Sequence, residues 1–130
     1  MRRLLSFLIV PLCVVVLSAQ SKTTLEIYLI DVEGGNATLF AAPSGESLLI
    51  DTGNPGARDT DRIMEVIQSA GVKQIDHMVL THYHGDHVGG LQELAKRIPI
   101  KHFIDHGPPT DPREQVPKLF FERNEDRDVG

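Results

Sequence analysis

Apolar and polar positions alternate over residues 25–31 (LEIYLID), and the same period-two rhythm returns at 37–42 and 47–51, which predicts three short strands. Between the first two, Glu33-Gly34-Gly35-Asn36 reads as a tight turn whose glycines permit positive φ, and Pro43-Ser44-Gly45-Glu46 as another. Three strands at this spacing predict an antiparallel meander, half of a sheet. After a glycine- and proline-containing loop at 52–57 the period changes. Ile63, Val66, Ile67 and Ala70 recur at helical spacing, behind a cap from Asp59 or Thr60 and ahead of a stop at Gly71. A fourth strand is predicted over 75–81, a second helix over about 91–97 closed by Pro99, and a fifth strand over 101–105. Strands alternating with helices in this second stretch argue for a layered α/β arrangement, a mixed sheet with flanking helices.

The two ends have a different character. Met1-Arg2-Arg3 is followed by an apolar run over 4–17, broken only by Ser6 and Pro11, and then by Ser18-Ala19-Gln20. A positive start, a short apolar stretch and a small residue at the cut predict a secretory signal peptide over 1–19. The stretch is shorter than the roughly 20 residues of a spanning helix. An uncleaved anchor is the competing reading, because Leu17 is an imperfect residue two places before a cut after Ala19. The expectation is export to a periplasmic or extracellular location, with no membrane attachment after cleavage. Cys13 is the single cysteine and leaves with the signal, so 20–130 has neither disulfide nor thiolate ligand. Loss of Arg2 and Arg3, with no acid in the segment, takes the formal net charge from −5 to −7. So acidic a chain is not expected to bind nucleic acid stably through its surface field. The sequence thus divides into the signal, a folded part over 20–106 and a proline-rich, charged tail over 107–130, with one short helix at 112–121 and a frayed end.

Chemistry concentrates in one place. Thr81-His82-Tyr83-His84-Gly85-Asp86-His87 follows directly on the apolar run His77-Met78-Val79-Leu80, so a buried strand delivers three imidazoles and a carboxylate to one loop. His82 and His84 are one residue apart, and on extended backbone their rings point the same way and can share an ion. Asp86 and His87 could serve a second ion, or Asp86 could act as base to a water on the first. Zinc suits these borderline ligands best, with one or two ions, and manganese or iron is the alternative. Gly89-Gly90 lets the loop fold back into a helix. Asp51, at a strand end before Thr52-Gly53, is either an Asx-turn residue or an acceptor that orients a metal-ligating imidazole. Asp31 has the same two readings and leans structural. Asp105 and His106, again at a strand end, are read as a glycine-proline turn with an exposed histidine before they are read as extra ligands. His77 and His102 are treated as ordinary sheet histidines.

These motifs carry a family resemblance. Residues 81–90 (THYHGDHVGG) resemble the His-x-His-x-Asp-His signature of the metallo-β-lactamase superfamily. Asp31-Val32-Glu33-Gly34-Gly35-Asn36-Ala37 and Leu49-Ile50-Asp51-Thr52-Gly53 resemble its opening motifs, especially in the branch found in bacterial competence proteins. The resemblance implies the N-terminal half of an αβ/βα sandwich, with His82 and His84 on a first metal, Asp86 and His87 on a second, and Asp51 behind them. It implies a metal-activated hydroxide attacking an ester, amide or phosphodiester, and it leaves the substrate unnamed. Where that branch reads Gly-Gln-Gly-Asp, this chain has Glu33-Gly34-Gly35-Asn36, so a role resting on that Asp is not carried over. The chain ends too soon after His87 for a second set of strands, so it is expected to be the first portion of a longer hydrolase, with an apolar sheet face left open. Two alternatives accompany this reading: a non-catalytic metal-binding half-domain that pairs as a homodimer, and an inactive fragment.

Overall fold

The computed structural model describes residues 23–114 and the backbone of 127–129. The expected signal peptide, and most of the short helix expected at 112–121, lie outside the described residues. The β-hairpins form where the alternation requires them. β1 (Glu26–Leu29) pairs antiparallel with β2 (Thr38–Ala41), and β2 with β3 (Ser47–Ile50). After β3 the chain crosses through α1 (Ala57–Ser69) and returns as β4 (Ile75–Val79), parallel to β3. The one-turn helices α2 (Gly85–Val88) and α3 (Leu91–Leu94) then lead to β5 (Ile100–Asp105), parallel to β4. A three-residue strand β6 (Arg127–Val129) closes a six-stranded mixed sheet in the order β1-β2-β3-β4-β5-β6. The polar end expected to fray therefore contributes its backbone to the sheet edge.

Register shows how the sheet divides. Tyr28, Leu39, Leu49, Met78 and Phe103 stand opposite one another across five strands. With Ile63 and Ile67 of α1 and Leu91 and Leu94 of α3 they belong to one buried core, in which each fully buried aliphatic side chain contributes about 1.5–3 kcal/mol. The alternate positions, Ile27-Phe40-Leu48-His77-His102 and Leu29-Thr38-Ile50-Val79-Ile104, form two rows on the other face. That face is partly open: Ile27 is 54% and Leu29 84% exposed. An open apolar face is what the sequence leads one to expect. His77 and His102 stack there at 5.5 Å, away from the histidine loop, as ordinary sheet residues.

Two helix boundaries differ from expectation, each for a local reason. α1 begins at Ala57, not behind an Asp59 or Thr60 cap, because Gly56 at φ 103° turns the chain into the helix. Asp59 instead lies in the first turn, where its carboxylate reaches back to accept from the Asn54 N–H at 2.8 Å and from the Asn54 side chain at 3.0 Å. An acid in the first turn bonding backward is the logic of a capping box, here carried two residues further out. The C-terminus behaves as expected. Gly71 at φ 74° donates to Gln68 and Val72 to Ile67, the paired bonds of a Schellman stop. The second helix is shorter than 91–97, with turns after Leu94. Among the described residues no helix is long and apolar enough to cross a membrane.

At the end of the sheet opposite the histidine loop, Asp76 ties β4 to β3 by accepting from the Ser47 N–H at 3.0 Å and the Ser47 hydroxyl at 3.2 Å. Burial pushes its carboxyl up, but bonds from Gln74 and Ser47 outweigh that and hold it below its ordinary 3.8. A carboxyl depressed in the folded state stabilises the protein above its unfolded value and loses that contribution as pH falls through the folded one. Asp76→Asn is therefore expected to destabilise by about 1 kcal/mol at pH 7. The gap should close as both proteins are melted at pH values progressively below 4. An equal gap at pH 7 and pH 2.5 would contradict this account.

Candidate functional site

The parallel strands β3 and β4 end side by side, and at the carboxyl ends of such strands loops converge on a common crevice. The Asp51 N–H donates to the Val79 carbonyl at 2.9 Å, which continues the ladder one residue past β3. Asp51 then turns into the left-handed region at φ 59°, which directs its wholly buried carboxylate under the histidine loop. Four groups meet it there. Oδ1 accepts from the Thr81 N–H at 2.9 Å. Oδ2 accepts from the Thr81 hydroxyl at 2.7 Å and the Asn36 side chain at 3.1 Å, and lies 2.8 Å from His87 Nδ1. Oδ2 can only accept from a ring N–H, so this contact suits the His87 tautomer that carries a proton on Nδ1 and leaves Nε2 to a ligand. The Thr81 hydroxyl lies between Asp51 Oδ2 and His82 Nδ1, 3.1 Å from the latter, and suits the same tautomer there. The Gly53 N–H, which an Asx turn at Asp51 would use, donates instead to the Asn36 carbonyl at 3.0 Å, so the Asp51 oxygens serve Thr81, Asn36 and His87.

The imidazoles gather. His82 lies 4.7 Å from His84 and 3.9 Å from His87, ring centre to ring centre. Asp86, in the first turn of α2, is half-exposed and sets its Oδ2 3.7 Å from His87 Nε2. The α2 turn itself was expected only as a loop. It brings the His87 and Val88 N–H groups onto the His84 carbonyl at 2.9 and 3.0 Å, which swings His87 back over Asp51. His84 Nε2 is the one buried side-chain nitrogen or oxygen among the described residues with no hydrogen-bond partner. An orphan of this kind costs about 1–3 kcal/mol unless something binds it. Among the described residues no three ligating groups form a finished coordination cage. Three imidazoles, one of them with that unpartnered Nε2, and one carboxylate are nonetheless donor types that a borderline divalent cation takes, so the residues fit one by chemistry although they do not close a cage.

Other candidates fall elsewhere. Asp31 is exposed and pairs with Arg62 of α1, as Glu33 does with Arg58, so both acids anchor the β1–β2 loop. Asp105 accepts from the Gly107 N–H at 2.7 Å and serves the turn. His106 packs its ring against Tyr83 at 4.8 Å, tilted by 44°, rather than joining the other imidazoles. Two participants escaped sequence reasoning. Thr81 is one, since a hydroxyl beside a histidine has no distinctive spacing. Asn36 is the other: it bonds Asp51 and also donates its N–H to the Asp86 carbonyl at 3.4 Å. Its signal was the Gly34-Gly35 pair before it. A Cβ at Gly35 would lie 1.9 Å from the Asp86 carbonyl oxygen, so only glycine lets the two loops meet.

Gly35→Ala is therefore expected to destabilise by about 1–3 kcal/mol or more, as overpacking does, and to displace Asp86. Gly85→Ala serves as the control. Like Gly35 it has no positive φ, but its Cβ would meet nothing within 4 Å, so the loss should be smaller. Denaturant melts of both variants measure it, and equal losses would show that the close approach is unimportant.

The sequence has relatives among known proteins. The family profile of the Metallo-beta-lactamase superfamily matches residues 30–128. The Beta-lactamase-like protein 2 homolog of Caenorhabditis elegans is 31% identical over 72 residues, covering 51% of this chain and 24% of that protein. The lactamase-like protein nscB of Aspergillus fumigatus is 34% identical over 91 residues, covering 63% of this chain and 27% of its own. An atrochrysone carboxyl ACP thioesterase of Aspergillus terreus is 35% identical over 65 residues, 50% of this chain and 20% of that enzyme. The chain thus spans about a quarter of the length of these relatives or less. With a match over residues 30–128 and a mixed sheet that ends in the His-x-His-x-Asp-His loop, this chain belongs to the metallo-β-lactamase superfamily.

Proposed function

We propose that this chain carries the metal-holding part of an exported, zinc-dependent hydrolase. The observation that carries the reading is the convergence of His82, His84 and His87, with His84 Nε2 buried and unpartnered. His82 and His84 would hold one ion, and Asp86 and His87 a second. Zinc, when bound, supplies a Lewis acid that acidifies water and polarises a carbonyl or phosphoryl oxygen. Asp51 would set the His87 tautomer directly and that of His82 through Thr81. Asp86, whose side chain is more exposed than that of His87 beside it, would take a proton at its carboxylate oxygen and is the candidate catalytic residue as well as a ligand. The thioesterase among the relatives favours a carbonyl substrate, an ester or thioester, over a phosphodiester. Export rests on the arginines, apolar run and Ala19 of segment 1–19.

Purified protein is expected to retain one or two zinc ions per chain after gel filtration. His84→Ala and Asp86→Ala should weaken zinc binding on the order of 100-fold or more, and Asp51→Asn by roughly 10- to 100-fold through loss of the orienting acceptor. Unchanged affinity in all three would remove the metal reading. The zinc-loaded protein should turn over an aryl thioester faster than a bis-aryl phosphodiester, and the reverse order would move the substrate class. For export, the mass of the secreted species should correspond to a chain beginning at Gln20.

A second reading, a non-catalytic metal-binding module that pairs as a homodimer, draws on the exposed Ile27 and Leu29. Sedimentation equilibrium separates the two: this module would dimerise on zinc addition and show no turnover.

A further inference from the structure

Tyr83 sits between two of the proposed ligands and is held from an unexpected direction. Its side chain is wholly buried, with the hydroxyl donating to the Gly107 carbonyl at 2.9 Å and the ring against His106. Its backbone N–H points at Glu114 Oε1, 3.4 Å away. Glu114 lies in the segment that follows β5, beyond every motif of the site, yet its side chain is only 3% exposed. A carboxylate buried to that degree is costly unless donors surround it. They do: Oε2 accepts the Thr110 N–H at 2.7 Å and the Asp111 N–H at 3.3 Å, and His106 Nε2 is 3.6 Å from Oε1.

We infer that Glu114 is a positioning residue for the histidine loop, acting through the backbone of Tyr83. On extended backbone successive side chains point to opposite sides, so holding Tyr83 inward is what turns His82 and His84 together toward the other side. Tyr83 is pinned at three points, the amide, the ring and the hydroxyl, and all three lie on residues 106–114. Glu114 is the group that organises that segment, since it binds two of its N–H groups as well as Tyr83. The loops after β4 and β5 therefore behave as one unit joined at Glu114.

The role in metal affinity rests on the zinc reading above, whereas the tie itself does not, and two measurements keep them apart. In metal-free protein, amide hydrogen exchange of Tyr83 and Thr110 should speed at least about tenfold in Glu114→Ala, with the Leu49 and Met78 amides of the sheet unchanged. Unchanged exchange at Tyr83 overturns the inference whether or not the chain binds metal. In cobalt(II) titrations, Glu114→Ala should bind about tenfold more weakly than the parent, with an altered visible spectrum. Glu114→Gln, which keeps one acceptor oxygen, should recover part of both. If the parent binds cobalt and Glu114→Ala matches it in affinity and spectrum, the positioning role is overturned while the metal reading stands. If the parent binds no cobalt, the zinc reading fails and the Tyr83 exchange alone decides the tie. Should Glu114→Ala not fold, the Gln variant decides by the same two readings.

Discussion

The Asp51 carboxylate is the constraint on which the rest of the site depends. It is fully buried, and a buried charge that loses its partners costs several kcal/mol, so the surrounding chain is obliged to supply donors. They come from three separate segments: Asn36 from the β1–β2 loop, Thr81 from the end of β4, and His87 from α2. Each segment thereby acquires a fixed distance from the other two. The parallel register of β3 and β4, with Ile50 opposite Val79, sets Asp51 beside Thr81 in the first place. The left-handed turn at Asp51 then converts a strand end into an anchor. A site assembled from loops is made rigid here by one carboxylate and by the glycines that let backbone meet backbone around it.

The sheet itself is asymmetric in a way that matters for function. Its inner face is closed by α1 and α3 over a continuous core, while the outer face presents two rows of apolar and histidine residues. The core face supplies stability near the site, because Leu80 and Val88, on either side of the histidine loop, are both buried in it. The loop is therefore clamped at its two ends by hydrophobic contacts and in its middle by Tyr83.

Much of this was legible in the sequence. The strand alternation is strong because one face is buried, and each of the first four strands lies within the span that its pattern marks, while the fifth begins one residue early at Ile100. Gly71 was legible as a helix stop because a left-handed residue there admits little else. The start of α1 was misplaced, since Asp59 and Thr60 are good caps by residue type and only the conformation of Gly56 decides between them and an earlier start. α2 was missed because four residues are too few to show a period. The ligand cluster was visible as spacing, but the second layer around it was not. Asn36, Thr81 and Glu114 act over separations of 15, 30 and 31 residues, and nothing in a linear pattern announces a hydrogen bond across such a distance.

The three imidazoles are not held equally, and the difference bears on how the site would fill. His87 is fixed by Asp51 and His82 by Thr81, each through Nδ1, so both rings present Nε2 with a set direction. His84 is different: its Nε2 is buried without a partner. Two oriented donors and one frustrated donor make a site that is prepared but not closed, in keeping with the lack of a finished cage among the described residues. Under the proposed metal reading, a cation entering such a site would gain two ligands whose ordering cost was met on folding, and would satisfy a third whose isolation is a liability of the unfilled state. Binding and local stability would then be coupled at His84 more than at His82 or His87. Through Tyr83 that coupling would extend to the segment at 106–114, so filling the site would be felt first in the loop after β5 rather than in the sheet.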